Sequence, residues 1–111
     1  MNRRGRMIVA LVAGLGAFAC SSFRAAELYQ GGSAALDAGE PERAIAQLRA
    51  AEALAPEASE IQNHLGLAYR EAGQPLAARA AFERALELDC ENRAARNNLR
   101  ALDRLKESSR D

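Results

Sequence analysis

The side chains able to carry out acid–base, nucleophilic or metal chemistry are few in this chain, and their spacing keeps them apart. His64 is the single histidine, so two imidazoles cannot meet on one metal ion. It follows Asn63 in a helical stretch and reads as a surface or groove residue. There are two cysteines, Cys20 and Cys90. A nucleophilic Cys90 needs an activating base, and its neighbours in sequence supply none, so it reads as a structural residue at a helix end. With one histidine no Ser-His-Asp arrangement assembles, and no glycine-rich phosphate loop is present. The carboxylates are spread over helix surfaces, where solvation is the default. Binding, with no catalysis, no cofactor and no metal, is the expected business of this chain.

The elements that must position those residues come from a repeat. Gly32 recurs 34 residues later as Gly66, Gly39 as Gly73, Pro41 as Pro75 and Ala44 as Ala78. Leu48 becomes Phe82, Ala51 becomes Ala85 and Leu54 becomes Leu88. Such a register is what stacked helix pairs leave behind, because each pair buries its apolar face on the next copy. The spacing predicts five helices, over 24–37, 41–54, 58–72, 75–89 and 92–107. Gly39 and Gly73 fall just past a helix end, where a left-handed residue is wanted. Pro41 and Pro75 open the next helix, where a missing N–H costs nothing. Pro56 separates the pairs, and no segment alternates with period two long enough to make a strand.

The chain's 111 residues suffice for one small domain. Its 15 basic and 15 acidic side chains balance formally, but they are unevenly placed. Arg3, Arg4 and Arg6 precede an apolar run, Met7 to Ala19, that closes on Ala17-Phe18-Ala19. A basic start, an apolar stretch shorter than the roughly 20 residues of a membrane span and a small-x-small exit have the form of a secretory signal peptide. Cleavage before Cys20 is the expectation; an uncleaved anchor and a cytosolic chain are the alternatives. Taking three basic residues from 15 leaves 12 against 15 acidic, a formal charge of −3 for residues 20–111. Residues 20–92 hold six basic and 12 acidic groups, and residues 93–111 hold six and three.

Residues 25–92 resemble two tetratricopeptide repeats. In the second unit, Leu65-Gly66-x-x-Tyr69 matches the family's first-helix signature, Gly73 the turn, and Ala78, Phe82 and Ala85 the small, large and small packing positions. Ala85-Leu86-Glu87-Leu88-Asp89 is close to the usual ending, with Cys90 where proline is expected. The first unit keeps Gly32, Gly39, Ala44, Ala51, Leu54 and Pro56 but has Gly31 and Ala35 at the Leu and Tyr positions. The glycine pair predicts a weaker first helix, since glycine costs about 1 kcal/mol against alanine inside a helix. The resemblance implies an all-α fold: a short right-handed α-solenoid of two helix pairs plus a C-terminal capping helix. It divides the chain into a leader (1–19), a short tether (20–24), a degenerate first repeat (25–58), a second repeat (59–92) and a cap with its tail (93–111). Along the cap, Ala95, Leu99, Leu102 and Leu105 share one face, while Arg93, Arg96, Arg100 and Arg104 fall within roughly 80° on the other. That is a solvating end; the arginines bring no aromatic platform for nucleic acid.

In this family the first helix of each pair lines an inner groove, and positions one repeat apart form columns. The resemblance therefore implies a peptide-binding groove with one column of Tyr29, Asn63 and Asn97 and another of Gln30, His64 and Asn98, extended by Ser33 and Leu67. Asparagine offers a donor and an acceptor to a peptide backbone, and Tyr29 an amphipathic contact. The lysines and arginines with which some members clamp a C-terminal carboxylate are absent from these columns.

Ala17-Phe18-Ala19-Cys20 resembles a bacterial lipobox, which implies lipid attachment at Cys20 and a membrane contact through that lipid. The family's usual Leu and small residue are here Ala17 and Phe18, and Ala17-x-Ala19 also suits ordinary cleavage. Ordinary cleavage would release a periplasmic chain in which Cys20 and Cys90 can pair. Ser21 after the cysteine resembles the outer-membrane sorting of Gram-negative lipoproteins. Together these features imply a non-catalytic adaptor of the bacterial envelope that binds an extended peptide or helix of another protein. The alternative is a self-associating structural subunit of a larger envelope assembly, such as a pilus, secretion or outer-membrane biogenesis complex.

Overall fold

The computed structural model describes the backbone of residues 3–111 and the side chains of residues 20–111. Five helices follow one another: α1 (Arg3–Asp37), α2 (Pro41–Leu54), α3 (Ser59–Glu71), α4 (Pro75–Leu88) and α5 (Arg93–Ser108). Among the described residues there is no strand. α1 packs on α2 and α3 on α4, α3 also lies against α1 and α2, and α5 rests on α4 and α3. This is a short α-solenoid of two helix pairs closed by a capping helix.

The turns inside the two pairs are copies, bond for bond. Gly39 and Gly73 take φ of 72° and 75°, the left-handed region that glycine enters without a Cβ penalty. The Gly39 N–H donates to Leu36 O and the Glu40 N–H to Ala35 O; Gly73 and Gln74 repeat this on Arg70 O and Tyr69 O. That is the Schellman arrangement, which satisfies the last carbonyls of the helix. Pro41 and Pro75 then stand at the first position of α2 and α4.

The first helix differs from expectation at its start. Rather than beginning near Arg24, α1 runs unbroken through residues 20–24, read from the sequence as a tether. No proline interrupts it, and Ser21-Ser22 does not stop a helix that is apolar before and amphipathic after. The leader assigned to residues 1–19 lies outside the residues whose side chains are described. Among the described residues no helix is long and apolar enough to cross a membrane.

Packing is alanine-dense, with Ala44, Ala51, Ala68, Ala78, Ala85 and Ala95 all fully buried. Phe82, Leu48 and Leu65 are the largest buried side chains. Two glycines seat two of them. A Cβ on Gly32 would lie 2.5 Å from Leu48 Cγ, and one on Gly66 would lie 2.3 Å from Phe82 Cε1. At the next position in this series, 34 residues past Gly66, α5 carries Arg100, which is exposed. The cap keeps the helix and gives up the seat, so no further helix can approach α5 as α4 approaches α3. Gly31 faces the flexible amide of Gln47, so of the glycine pair one position is needed for close approach and the other is not.

α5 follows its expected amphipathic pattern with one departure. Ala95 and Leu102 are buried and Leu99 is half-buried, but Leu105 remains 59% exposed beyond the cover of α4. Arg93, Arg96, Arg100 and Arg104 are all exposed. At the start of α5, Asn92 does two jobs. Its Oδ1 accepts from the Ala95 N–H at 3.0 Å, and its Nδ2 donates to Ser59 Oγ at 2.7 Å. The Ser59 hydroxyl in turn donates to Ala85 O at 2.8 Å. One chain of bonds thus ties the starts of α3 and α5 to the end of α4. Asn92→Ala removes both the cap and the tie and is expected to cost about 1–2 kcal/mol, read as a lowered urea midpoint with unchanged m-value.

Candidate functional site

The inner face is built from α1, α3 and the start of α5. Tyr29, Asn63 and His64 line a shallow concavity of about 370 Å³ together with Glu60, Asp89 and Asn92. Tyr29 and His64 meet edge to face, with ring centroids 4.8 Å apart and planes at 77°. The Tyr29 hydroxyl lies 3.3 Å from His64 Nδ1 and 3.4 Å from Nε2. His64 Nδ1 is also 3.0 Å from Glu60 O. A backbone carbonyl only accepts, so the proton belongs on Nδ1, and Nε2 is left to accept from the tyrosine. Asn98 Nδ2 donates to Asn63 Oδ1 at 2.9 Å.

The sequence columns are therefore joined on a diagonal. Tyr29 reaches His64 and Asn63 reaches Asn98, each 35 residues on, and no hydrogen bond runs along either column. Asn63 is buried, and His64 and Asn98 are half-buried. The remaining expected groove residues are not gathered here. Gln30 and Asn97 are exposed away from the concavity, Asn97 beside Arg100, Asp103 and Arg104. Leu67 packs against Ala78 and Phe82 in the core instead of facing a ligand. Ser33 hides its hydroxyl from solvent without a formed hydrogen bond, although it lies near enough to Tyr29 to act on its ionisation.

Four residues of the concavity escaped the sequence reading: Ala94 and the polar Glu60, Asp89 and Asn92. Glu60 stands one turn before His64, and that spacing is the signal by which it was findable. Asp89 and Asn92 come from the α4–α5 turn, which only folding brings to the inner face. Their effect is electrostatic: two carboxylates and no cation line the concavity, so it attracts positive charge. A further buried polar group, Gln62, is held by a 2.9 Å bond from its Nε2 to Glu52 Oε1 and ties α3 to α2.

Tyr29 feels this environment. Burial pushes its phenol above the ordinary tyrosine value, the charge of Glu60 adds to the rise, and the nearby Ser33 hydroxyl holds it back. A pKa raised on folding contributes stability that is complete below the unfolded value of about 10 and is lost as pH rises through the folded one. Above about pH 10 the protein is therefore expected to lose stability progressively, and Tyr29→Phe to flatten that alkaline limb. Thermal melts of both proteins from pH 8 to 11 check this.

Among the described residues no group of three His, Cys, Asp or Glu side chains is placed to hold a metal ion. Cys20 and Cys90 are free, exposed thiols. The Cys90 carbonyl accepts from the Arg96 guanidinium, which closes the α4–α5 turn where the repeat pattern leads one to expect proline.

A stack of helix pairs with a polar inner face defines a helical-repeat scaffold. Residues 29–98 match the model of a tetratricopeptide repeat family, and the chain belongs to that family. Repeats of this kind mediate protein–protein interaction. No curated protein matches the chain.

Proposed function

We propose that this protein is a non-catalytic adaptor of the bacterial cell envelope that holds an extended segment of another protein on its inner face. The observation that carries the reading is the concavity around Tyr29, Asn63 and His64, with Glu60 and Asp89 beside it. Asn63 and Asn98 spend bonding capacity on each other, so their role is to hold the surface in shape. Recognition falls to the Tyr29–His64 pair and to the two carboxylates. An extended segment carrying a lysine or arginine fits that chemistry: its charge meets Glu60 and Asp89, and its aliphatic stem lies on the tyrosine.

The lipobox-like Cys20 and the leader before it support export and a lipid anchor, with Ser21 favouring the outer membrane and the periplasmic side. A soluble periplasmic chain and an inner-membrane anchor are the competing locations. The intact mass of the protein recovered from host membranes tests this: a chain beginning at Cys20 with added acyl mass is expected, and an unmodified chain beginning there refutes lipidation.

Partner binding is tested by photo-crosslinking from Ala94, which lines the concavity, is exposed and makes no described side-chain hydrogen bond. One dominant crosslinked partner is expected. The paired change Glu60→Gln/Asp89→Asn should weaken its capture by about tenfold through lost charge complementarity, with helicity unchanged. Capture indifferent to both carboxylates would overturn the assignment.

A further inference from the structure

A second surface is apolar where the repeat pattern leads one to expect carboxylates. Leu76 is 82% exposed and Leu105 59%. One repeat earlier the same two positions are Glu42 and Glu71, both exposed. Between the leucines lies a groove of about 550 Å³, formed by the start of α4, the end of α5 and the last turn of α3. Leu102, only 6% exposed, lies in it, and Arg70, Arg79 and Lys106 also line it. Arg79 is engaged by Asp103 and lies 3.9 Å from Glu83. Arg70 and Lys106 make no ion pair among the described residues.

We propose that this groove docks an amphipathic helix of a partner protein, one whose apolar stripe is edged by carboxylates. The shape, the leucines and the cations each narrow the occupant. α4 and α5 form a trough rather than a protrusion, which suits a rod-like segment and not a flat bilayer. Leu76, Leu102 and Leu105 take an apolar stripe repeating at i, i+3 and i+7. Arg70 and Lys106 select acidic edges over basic ones. A second copy packed about a two-fold axis would set these cations against their own images, since such an interface presents the same patch twice.

The test uses the full chain and a labelled helical peptide with leucines at i, i+3 and i+7 and glutamates along both edges. Its twin carries lysines at the edges. The acidic peptide is expected to bind, the lysine twin to bind at least about tenfold more weakly, and the difference to shrink as salt rises. Leu76→Glu and Leu105→Glu place at these sites the residue held one repeat earlier, at exposed positions, so the fold survives. Each should abolish binding with the circular dichroism spectrum unchanged. Arg70→Gln/Lys106→Gln should erase the preference between the peptides. Glu60→Gln/Asp89→Asn on the inner face should leave binding intact, which separates this surface from the groove assigned above. Equal affinity for both peptides, no binding of either, or a dimer in sedimentation that dissociates on Leu76→Glu would each overturn the proposal.

Discussion

Phe82→Ala is expected to lower the free energy of unfolding by about 3–5 kcal/mol, the range for removing a buried aromatic ring and leaving a cavity. The ring has no exposed surface, and its neighbours are Ala78 and Leu102, with Leu67, Tyr69 and Leu99 at the edge. It is therefore the contact through which α3, α4 and α5 share one core. Small domains have only about 5–15 kcal/mol to lose, so the substitution brings the second repeat and its cap close to unfolding together. Urea titration followed at 222 nm measures it. A cost below about 1 kcal/mol would mean that the alanine contacts between helices hold the stack without the ring.

The second large effect is expected at Gly66, for the opposite reason. In an exposed helix, glycine to alanine gains about 1 kcal/mol. Here the new methyl would sit 2.3 Å from Phe82 Cε1, 2.4 Å from Cδ1 and 2.8 Å from Cζ. A buried ring cannot swing aside as a surface side chain does, so the helices must separate, at about 1–3 kcal/mol or more. The penalty outweighs the propensity gain, and Gly66→Ala is expected to destabilise. Combined with Phe82→Ala it should cost less than the sum of the two, because the methyl then enters the space the ring vacates. Gly73→Ala is the control: nothing lies within 4 Å of its Cβ, and its cost comes from the backbone at φ of 75°, about 1–2 kcal/mol. Additive unfolding energies in the Gly66/Phe82 pair would show that the two residues do not meet.

The bounds of α2 to α5 were legible because their punctuation is local. Gly39, Pro41, Gly73 and Pro75 each force a backbone state that neighbours cannot override, and the sequence places those states 34 residues apart. The beginning of α1 was not legible because nothing local marks it. Residues 20–24 carry neither a breaker nor a stop, and a helix once started propagates through them.

Of the residues expected on the inner face, the concavity gathers Tyr29, Asn63 and His64, and their contacts were not legible in the sequence. Columns of identical register run through parallel helices related by translation, so each column position points the same way from every helix. Such positions cannot face one another. A side chain aimed at the next helix meets that helix's opposing face, which is why Tyr29 finds His64 and not Asn63. Gln30 and Asn97 lie at the outer ends of the columns with no such neighbour, and they stay in solvent. Leu67 fell out of the groove for a different reason. It is apolar, and the core beneath Phe82 offered it more burial than the surface did.

Arg100 sets a limit on length. Helical arrays lengthen when a unit is duplicated, and every join then has to satisfy the same close approach. A third pair completed by adding a copy of residues 75–88 after the cap would drive a phenylalanine ring into the arginine stem where the two earlier joins have only hydrogen. Lengthening the array therefore begins with a single codon, Arg100 to glycine, before any helix is added. Until that change is made, the stack acts as a ruler with its last mark already cut.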